Sequence, residues 1–238
     1  VLEPDAINRV LVVTAHPDDV DFGAGGTVAL FAKAGAEVAY CICTDGDAGG
    51  FDPAVPRSEI ASIRQAEQRA AGEVLGVHDV TFLGYPDGKL EISQELRRDI
   101  SRQIRRVRPD VVLLQSPERH WQRIGASHPD HMAAGEAALR SVYPDARNPF
   151  AHPELLEEGF VDYKVPEVWV MGREHPTHWV DVTDVFELKK EALLCHASQL
   201  PNPEQLDPML RGWLTAQAQA GGLPEGRLAE AFYRMETA

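Results

Sequence analysis

The strongest constraint on the fold is an alternation that runs through the first half of the chain. Strand-length apolar runs at Arg9–Thr14, Glu37–Thr44, Val80–Leu83 and Val111–Gln115 are separated by longer amphipathic stretches. These stretches, about Gly25–Ala34, Ser58–Leu75 and Glu91–Val107, have helix length, and Gly35 and Gly76 stand where the first two should end. Strands alternating with helices make βαβ units, so the expectation is an α/β fold around a parallel sheet covered on both faces. Met132–Ser141 continues the pattern as a helix, with Glu167–Met171 and Trp179–Val182 as later strands. Tyr143–Pro166 reads as a long connection with a short helix around Pro153–Glu158. Val185–Ser198 reads as a helix, and the prolines of Pro201–Pro208 require an extended or turning segment. Met209–Ala220 and Glu225–Met235 are expected to be terminal helices. No linker separates a second unit, so one domain is expected over residues 1–238, with a core of about 9–200 and C-terminal helices at about 208–235.

Polar clusters fall at one kind of place in this layout. His16-Pro17-Asp18-Asp19 follows the first strand, Asp45–Asp47 the second and Pro86-Asp87-Gly88 the third, while His128-Pro129-Asp130-His131 lies beyond the fourth. Strands of a parallel sheet end on a common edge, and ligands bind outside those carboxyl ends. The two histidine motifs together read as a metal site. Catalytic zinc takes three protein nitrogens and oxygens and keeps one position open, which His16, Asp19 and His131 can supply. The same donors suit Fe(II), Mn or Co. Asp18, His128 and Asp130 would then stand beside the metal, where proton-transfer groups are needed. Each motif alone could be helix capping or turn chemistry; two of them on one sheet edge make a site the better reading.

With 37 Asp and Glu against 23 Lys and Arg, the net charge of −14 argues against nucleic acid and anionic membrane surfaces as partners. No apolar run approaches the roughly 20 residues of a membrane span, so no membrane insertion is expected, and no signal-like pattern precedes the first strand. The chain begins at Val1, which is compatible with a processed start. Cys41 and Cys43 share one face of a strand, a poor geometry for a disulfide, and all three cysteines read as reduced thiols of a cytoplasmic protein.

Ala15-His16-Pro17-Asp18-Asp19, Gly25-Gly26-Thr27, Thr44-Asp45-Gly46 and His128-Pro129-Asp130-His131 together resemble the LmbE-like, PIG-L type zinc-dependent de-N-acetylases. The likeness spans roughly residues 9 to 200, including Trp179–Thr183 and Lys189–Gln199. It implies a Rossmann-like three-layer sandwich with a mostly parallel central sheet and its site at the C-terminal strand edge. It also implies one zinc per chain on His16, Asp19 and His131, Asp18 as general base, and His128 paired with Asp130 as acid and oxyanion donor. Arg64 and Asp87 resemble sugar contacts. The implied substrate is a small-molecule amino-sugar conjugate whose N-acyl group is hydrolysed, and a homo-oligomer is compatible with this reading. Val20 stands where many members carry Glu, and Asp21 follows it as a candidate to take over part of that support.

Two other function classes are open to such a chain. A nucleotide or dinucleotide-binding protein would use Gly23-Ala24-Gly25-Gly26 and Asp45, but position 28 is Val where the third glycine belongs. A metal-dependent phosphoesterase would call for more carboxylate ligands. Gly25-Gly26 is read instead as permitting close approach of backbone to the metal loop. His175 and His178 carry a metal-like spacing without a third ligand, His120 and Trp121 are candidates for the pocket mouth, and His196 is read as a packing or hydrogen-bonding group on its helix.

Overall fold

A computed structural model describes residues 6–237, so the expectation about the start at Val1 lies outside the described residues. Its first strand, Arg9–Thr14 (β1), shows why the apolar runs are continuous. Val10 and Val12 point into one core and Leu11 and Val13 into another, so every position after the first is buried. The same holds for Glu37–Thr44 (β2) and Val111–Gln115 (β4), while Asp79–Tyr85 (β3) forms an edge. Glu167–Met171 (β5), His178–Asp181 (β6) and Ala229–Glu236 (β7) complete a seven-stranded sheet in the order β3-β2-β1-β4-β5-β7-β6. Strands β1 to β5 run parallel to one another, and β7 runs antiparallel between β5 and β6.

Helices cover both faces. Asp19–Lys33 (α1), Arg57–Leu75 (α2), Phe186–Leu194 (α6) and Leu206–Ala220 (α7) pack on the Val10 and Val12 face. Gln94–Val107 (α3) and Pro129–Arg140 (α4) pack on the other, and Pro153–Glu157 (α5) is the short helix expected in the long connection. Cys41 and Cys43 are free and buried on the α3 and α4 side, and burial pushes the Cys41 thiol up to about 12. No described helix is long and apolar enough to cross a membrane.

Three expectations are corrected. Glu225–Met235 is not a helix: Ala229–Glu236 is a strand whose side chains alternate between the two faces of the sheet. Phe232 faces the α1 core while Tyr233 and Met235 pack on the opposite face, and Met235 and Tyr233 pair with Val168 and Val170 of β5. Helix α1 starts at Asp19 rather than near Gly25, leaving only Ala15-His16-Pro17-Asp18 as the loop after β1. Helix α6 ends at Leu194, so His196 lies beyond its end, just before a 3-10 turn at Ala197–Gln199.

The topology selects the place for a site. From central β1 the chain moves outward through β2 and β3, then returns to lay β4 on the other side of β1. The crevice beyond the carboxyl ends of β1 and β4 is the point where strand order reverses, and the two histidine motifs follow these two strands.

Candidate active site

Two short loops meet in that crevice. The end of β1 is pinned to the end of β4 by the Ala15 N–H donating to Gln115 Oε1 at 2.8 Å. Helix α4 comes unusually close to the same strand end, because a Cβ at Gly135 would lie 2.2 Å from the Gln115 carbonyl oxygen. This approach brings the first turn of α4, opened by Pro129, against the start of α1. Asp19 then joins the motifs: its Oδ2 lies 3.3 Å from His16 Nδ1 and its Oδ1 lies 3.0 Å from His131 Nε2. His16, His128 and His131 each place a ring nitrogen within 4.8 Å of the others.

His16 is gripped from the other side. Its Nε2 lies 3.1 Å from Asp87 Oδ1 and 3.2 Å from Asp130 Oδ2. Asp130, 1% exposed, also accepts the Gly88 and Leu90 N–H groups. Burial opposes its charge, but His16 and these two donors hold Asp130 below the usual carboxylate range. Burial by itself would lower the His16 pKa; its hydrogen bonds to Asp130, Asp19 and Asp87 carry it to about 11. The pocket is therefore built to hold positive charge at this point.

The expected pairing of the His128 ring with the Asp130 carboxylate is corrected. His128 is the N-cap of α4, and its Nδ1 accepts the Asp130 backbone N–H at 3.2 Å. The Asp130 carboxylate turns inward to His16 and the loop after β3, where donors are available to it. Burial, then the neighbouring His16 and His131, lower the His128 pKa rather than raising it.

Asp18 occupies a left-handed backbone conformation with φ 85°, a costly one for a residue with a side chain. Arg64 of α2 donates through Nη2 to Pro17 O at 2.7 Å and to Asp18 Oδ2 at 3.2 Å, and through Nη1 to Gly46 O at 2.9 Å. Only 4% exposed, Arg64 braces the loop in this structure. Asp87 is likewise buried against His16 and Arg64 and accepts the Ala48 N–H. Burial, followed by the Asp19 carboxylate, pushes Asp18 up to about 7 against the pull of Arg64. Asp19 moves the opposite way: burial would raise it, but His131 and His16 hold it well below the usual range.

A cleft of about 410 Å³ opens beside Asp19 and His131 and is walled by Phe22, Met171, Trp213 and Arg173. His120 lines it and lies 3.1 Å from Glu174, while Trp121 is fully on the surface. The donor set fits zinc: two imidazoles joined by one carboxylate, next to open space on the His131 side. The alternative group His16, Asp87 and Asp130 is buried throughout and occupied with holding His16, as partners of a ligating histidine are. His178 packs edge-on against Trp169, and among the described residues neither it nor His175 joins a metal-sized cluster.

Gly26 does not serve the metal loop as expected. A Cβ there would lie 2.7 Å from Val182, and its N–H donates to Glu230 Oε1, so this glycine admits β7 and its neighbours to α1. Gly25, against Lys189, and Gly26 thus face protein, so they form no open phosphate-binding turn, and only Gly23 of the pattern lines the cleft. Gln68 carries no signal in the sequence reading, yet its Oε1 accepts the Asp18 N–H at 2.8 Å. A polar residue four positions after Arg64, on the same helix face, was the available clue.

Comparison with known proteins agrees with this geometry. Residues 11–142, which contain both histidine motifs, match the PIG-L family of GlcNAc-PI de-N-acetylases. Diacetylchitobiose deacetylase of Thermococcus kodakarensis is 32% identical over 207 residues, covering 86% of this chain and 76% of that protein. A probable N-acetyl-alpha-D-glucosaminyl L-malate deacetylase 2 of Bacillus anthracis is 31% identical, covering 80% of this chain and 81% of its own length. The solved structure of N,N'-diacetylchitobiose deacetylase from Pyrococcus horikoshii superposes with a TM-score of 0.88 at 32% identity, covering 96% of this chain and 84% of that one. By sequence and by fold, this chain belongs to the PIG-L family of de-N-acetylases.

Proposed function

We propose that this chain removes the N-acetyl group from an N-acetylglucosaminyl conjugate, using one zinc ion held by His16, Asp19 and His131. The observation that carries this reading is the bridging position of Asp19 between the two histidines, with Asp18 adjacent and the cleft alongside. Zinc bound there would polarise the amide carbonyl and bring the pKa of its water toward ~7.

The protein's own groups then move the protons. Asp18, with Oδ2 fixed by Arg64, takes the proton of the attacking water; its position near neutrality suits both accepting and releasing it. His128 accepts the Asp130 N–H at Nδ1, so its ring proton sits on Nε2 and can donate to the carbonyl oxygen as that oxygen gains charge. Because burial and its histidine neighbours keep His128 low, Asp18 rather than His128 returns a proton to the leaving amine. Asp130 and Asp87 orient His16. Phe22 and Trp213 give the cleft apolar surface against which a sugar face or aglycone can lie.

Zinc content and amine release from N-acetylglucosaminyl conjugates test this reading together. His131→Ala should lose the metal, whereas Asp18→Asn should keep about one equivalent and lose roughly 10²–10⁴ in rate. Unimpaired amine release by Asp18→Asn, or activity surviving metal removal, overturns it.

A further inference from the structure

We propose that Gln68, Asp21 and His196 form a buried chain of positioning residues that sets the orientation of Asp18, an inference that rests on Asp18 being the base. All three side chains are fully buried, and each link is short: Gln68 Oε1 accepts the Asp18 N–H at 2.8 Å, Gln68 Nε2 donates to Asp21 Oδ2 at 2.8 Å, and His196 Nε2 lies 2.8 Å from the same oxygen.

A carboxamide can present either its oxygen or its nitrogen, and the backbone N–H of Asp18 can be satisfied only by the oxygen. The carboxylate of Asp21 accepts hydrogen bonds and offers none, so it fixes the nitrogen end of Gln68 toward itself. His196 in turn shares Oδ2 from beyond the end of α6 and holds that carboxylate in place. The order runs outward from the reacting group: Asp18 backbone, Gln68, Asp21, His196.

Asp18 has a specific need for such a hold. Its φ of 85° is not one that a residue with a side chain keeps unaided, and it fixes the direction in which the carboxylate leaves the loop. Arg64 secures the Pro17 carbonyl and Asp18 Oδ2, and Gln68, one turn further along α2, secures the N–H between them. Release of the N–H lets the peptide relax while zinc ligands Asp19 and His131 stay joined. The consequence should fall on kcat rather than on metal or substrate binding, because displacement of a base by a fraction of its reach to the water is costly in rate.

The test compares Gln68→Met, Asp21→Leu and Asp21→Asn with Gly72→Ala, measured well below each melting temperature. Gly72 lies on the same helix, and its added Cβ would sit 2.7 Å from Val77 O, so this variant loses stability without touching the chain of hydrogen bonds. Gln68→Met and Asp21→Leu should lose about 10- to 100-fold in kcat with KM within about twofold and zinc content unchanged. Asp21→Asn, which keeps an acceptor for Gln68, should recover to within about threefold of the parent. Gly72→Ala should melt lower and keep its kcat. Should Gln68→Met not fold, His196→Phe removes only the outermost link and should lose about 3- to 10-fold.

Parental kcat in Gln68→Met or in Asp21→Leu overturns the proposal, as does a kcat loss in Gly72→Ala equal to theirs, since position would then follow stability alone. Activity retained by Asp18→Asn overturns the base and the proposal together; activity lost there but kept in Gln68→Met overturns the positioning chain alone.

Discussion

Lys189→Met should destabilise the protein strongly. Lys189 and Glu230 form an ion pair at 2.7 Å with both side chains fully buried. The pair straddles one turn of α1: the ammonium donates to the carbonyls of Asp21 and Phe22, and the carboxylate accepts the N–H groups of Gly26 and Thr27 and the Thr27 hydroxyl. Methionine keeps the length and apolar body of the side chain, so little volume is lost. What remains is a buried carboxylate without its countercharge and two carbonyls that have lost the ammonium's hydrogen bonds. Breaking such a pair from one side costs about 3–5 kcal/mol. At about 2–4 °C per kcal/mol for a domain of this size, melting should fall by about 6–20 °C, read by far-ultraviolet circular dichroism. Glu230→Gln should also destabilise, and the double variant should be milder than the sum of the two by at least about 1 kcal/mol, because it no longer strands a charge. A Lys189→Met protein melting within about 2 °C of the parent would refute the assignment of α1's anchorage to this pair.

Three further outcomes follow from the same geometry. Asp130→Asn exchanges one acceptor oxygen for a donor among His16, Gly88 and Leu90, so zinc affinity should weaken about 10- to 100-fold in a competitive chelator titration. Gly135→Ala should destabilise by at least about 1–3 kcal/mol in urea melts, since its Cβ would meet backbone 2.2 Å away that cannot rotate aside. Burial would lower His196, but the hydrogen bond to Asp21 and the charges of Asp21, Asp18 and Glu67 raise its pKa above the ordinary histidine value. Its contribution to stability is therefore full below that ordinary value and is lost as pH rises through the raised one; His196→Gln should flatten that part of the stability profile.

The parallel half of the sheet was legible in the sequence because a strand buried on both faces must be apolar through its middle, and residues 10–13, 38–43 and 111–114 are. The loops of the two histidine motifs were legible because proline and aspartate mark the strand ends where side chains gather. What stayed hidden depends on the third dimension. Strand β7 carries Glu230 and Arg234, which look like the polar face of a helix until Lys189 and Glu167 arrive from elsewhere to pair with them. The Asp130 carboxylate was assigned to its sequence neighbour His128, but the backbone donors of the β3 loop and His16 outcompete it. Arg64 carried a signal, but its hydrogen bonds to Pro17 and Asp18 depend on where α2 lies against the loop after β1.

The buried charges of the C-terminal third support the site without reaching the edge of the cleft at Asp19 and His131. The family match ends at residue 142, but α1, which begins with Asp19, is held by Lys189, His196 and Glu230 from beyond that limit. Lys189 and Glu230 clamp the turn from Asp21 to Thr27, and His196 acts on Asp21 within the same turn. Apolar packing alone would hold this helix against the sheet, because Val20, Ala24 and Val28 already face the core. It would not fix the helix along its own axis, since apolar contacts are non-directional and tolerate sliding. Hydrogen bonds from a lysine to two carbonyls and from a carboxylate to two N–H groups do fix that coordinate. An error along the axis would move Asp18 and Asp19 together relative to His131, which is anchored on α4. The polar clamp on α1 therefore fixes the axial position of the helix that begins with Asp19, the residue that meets His131.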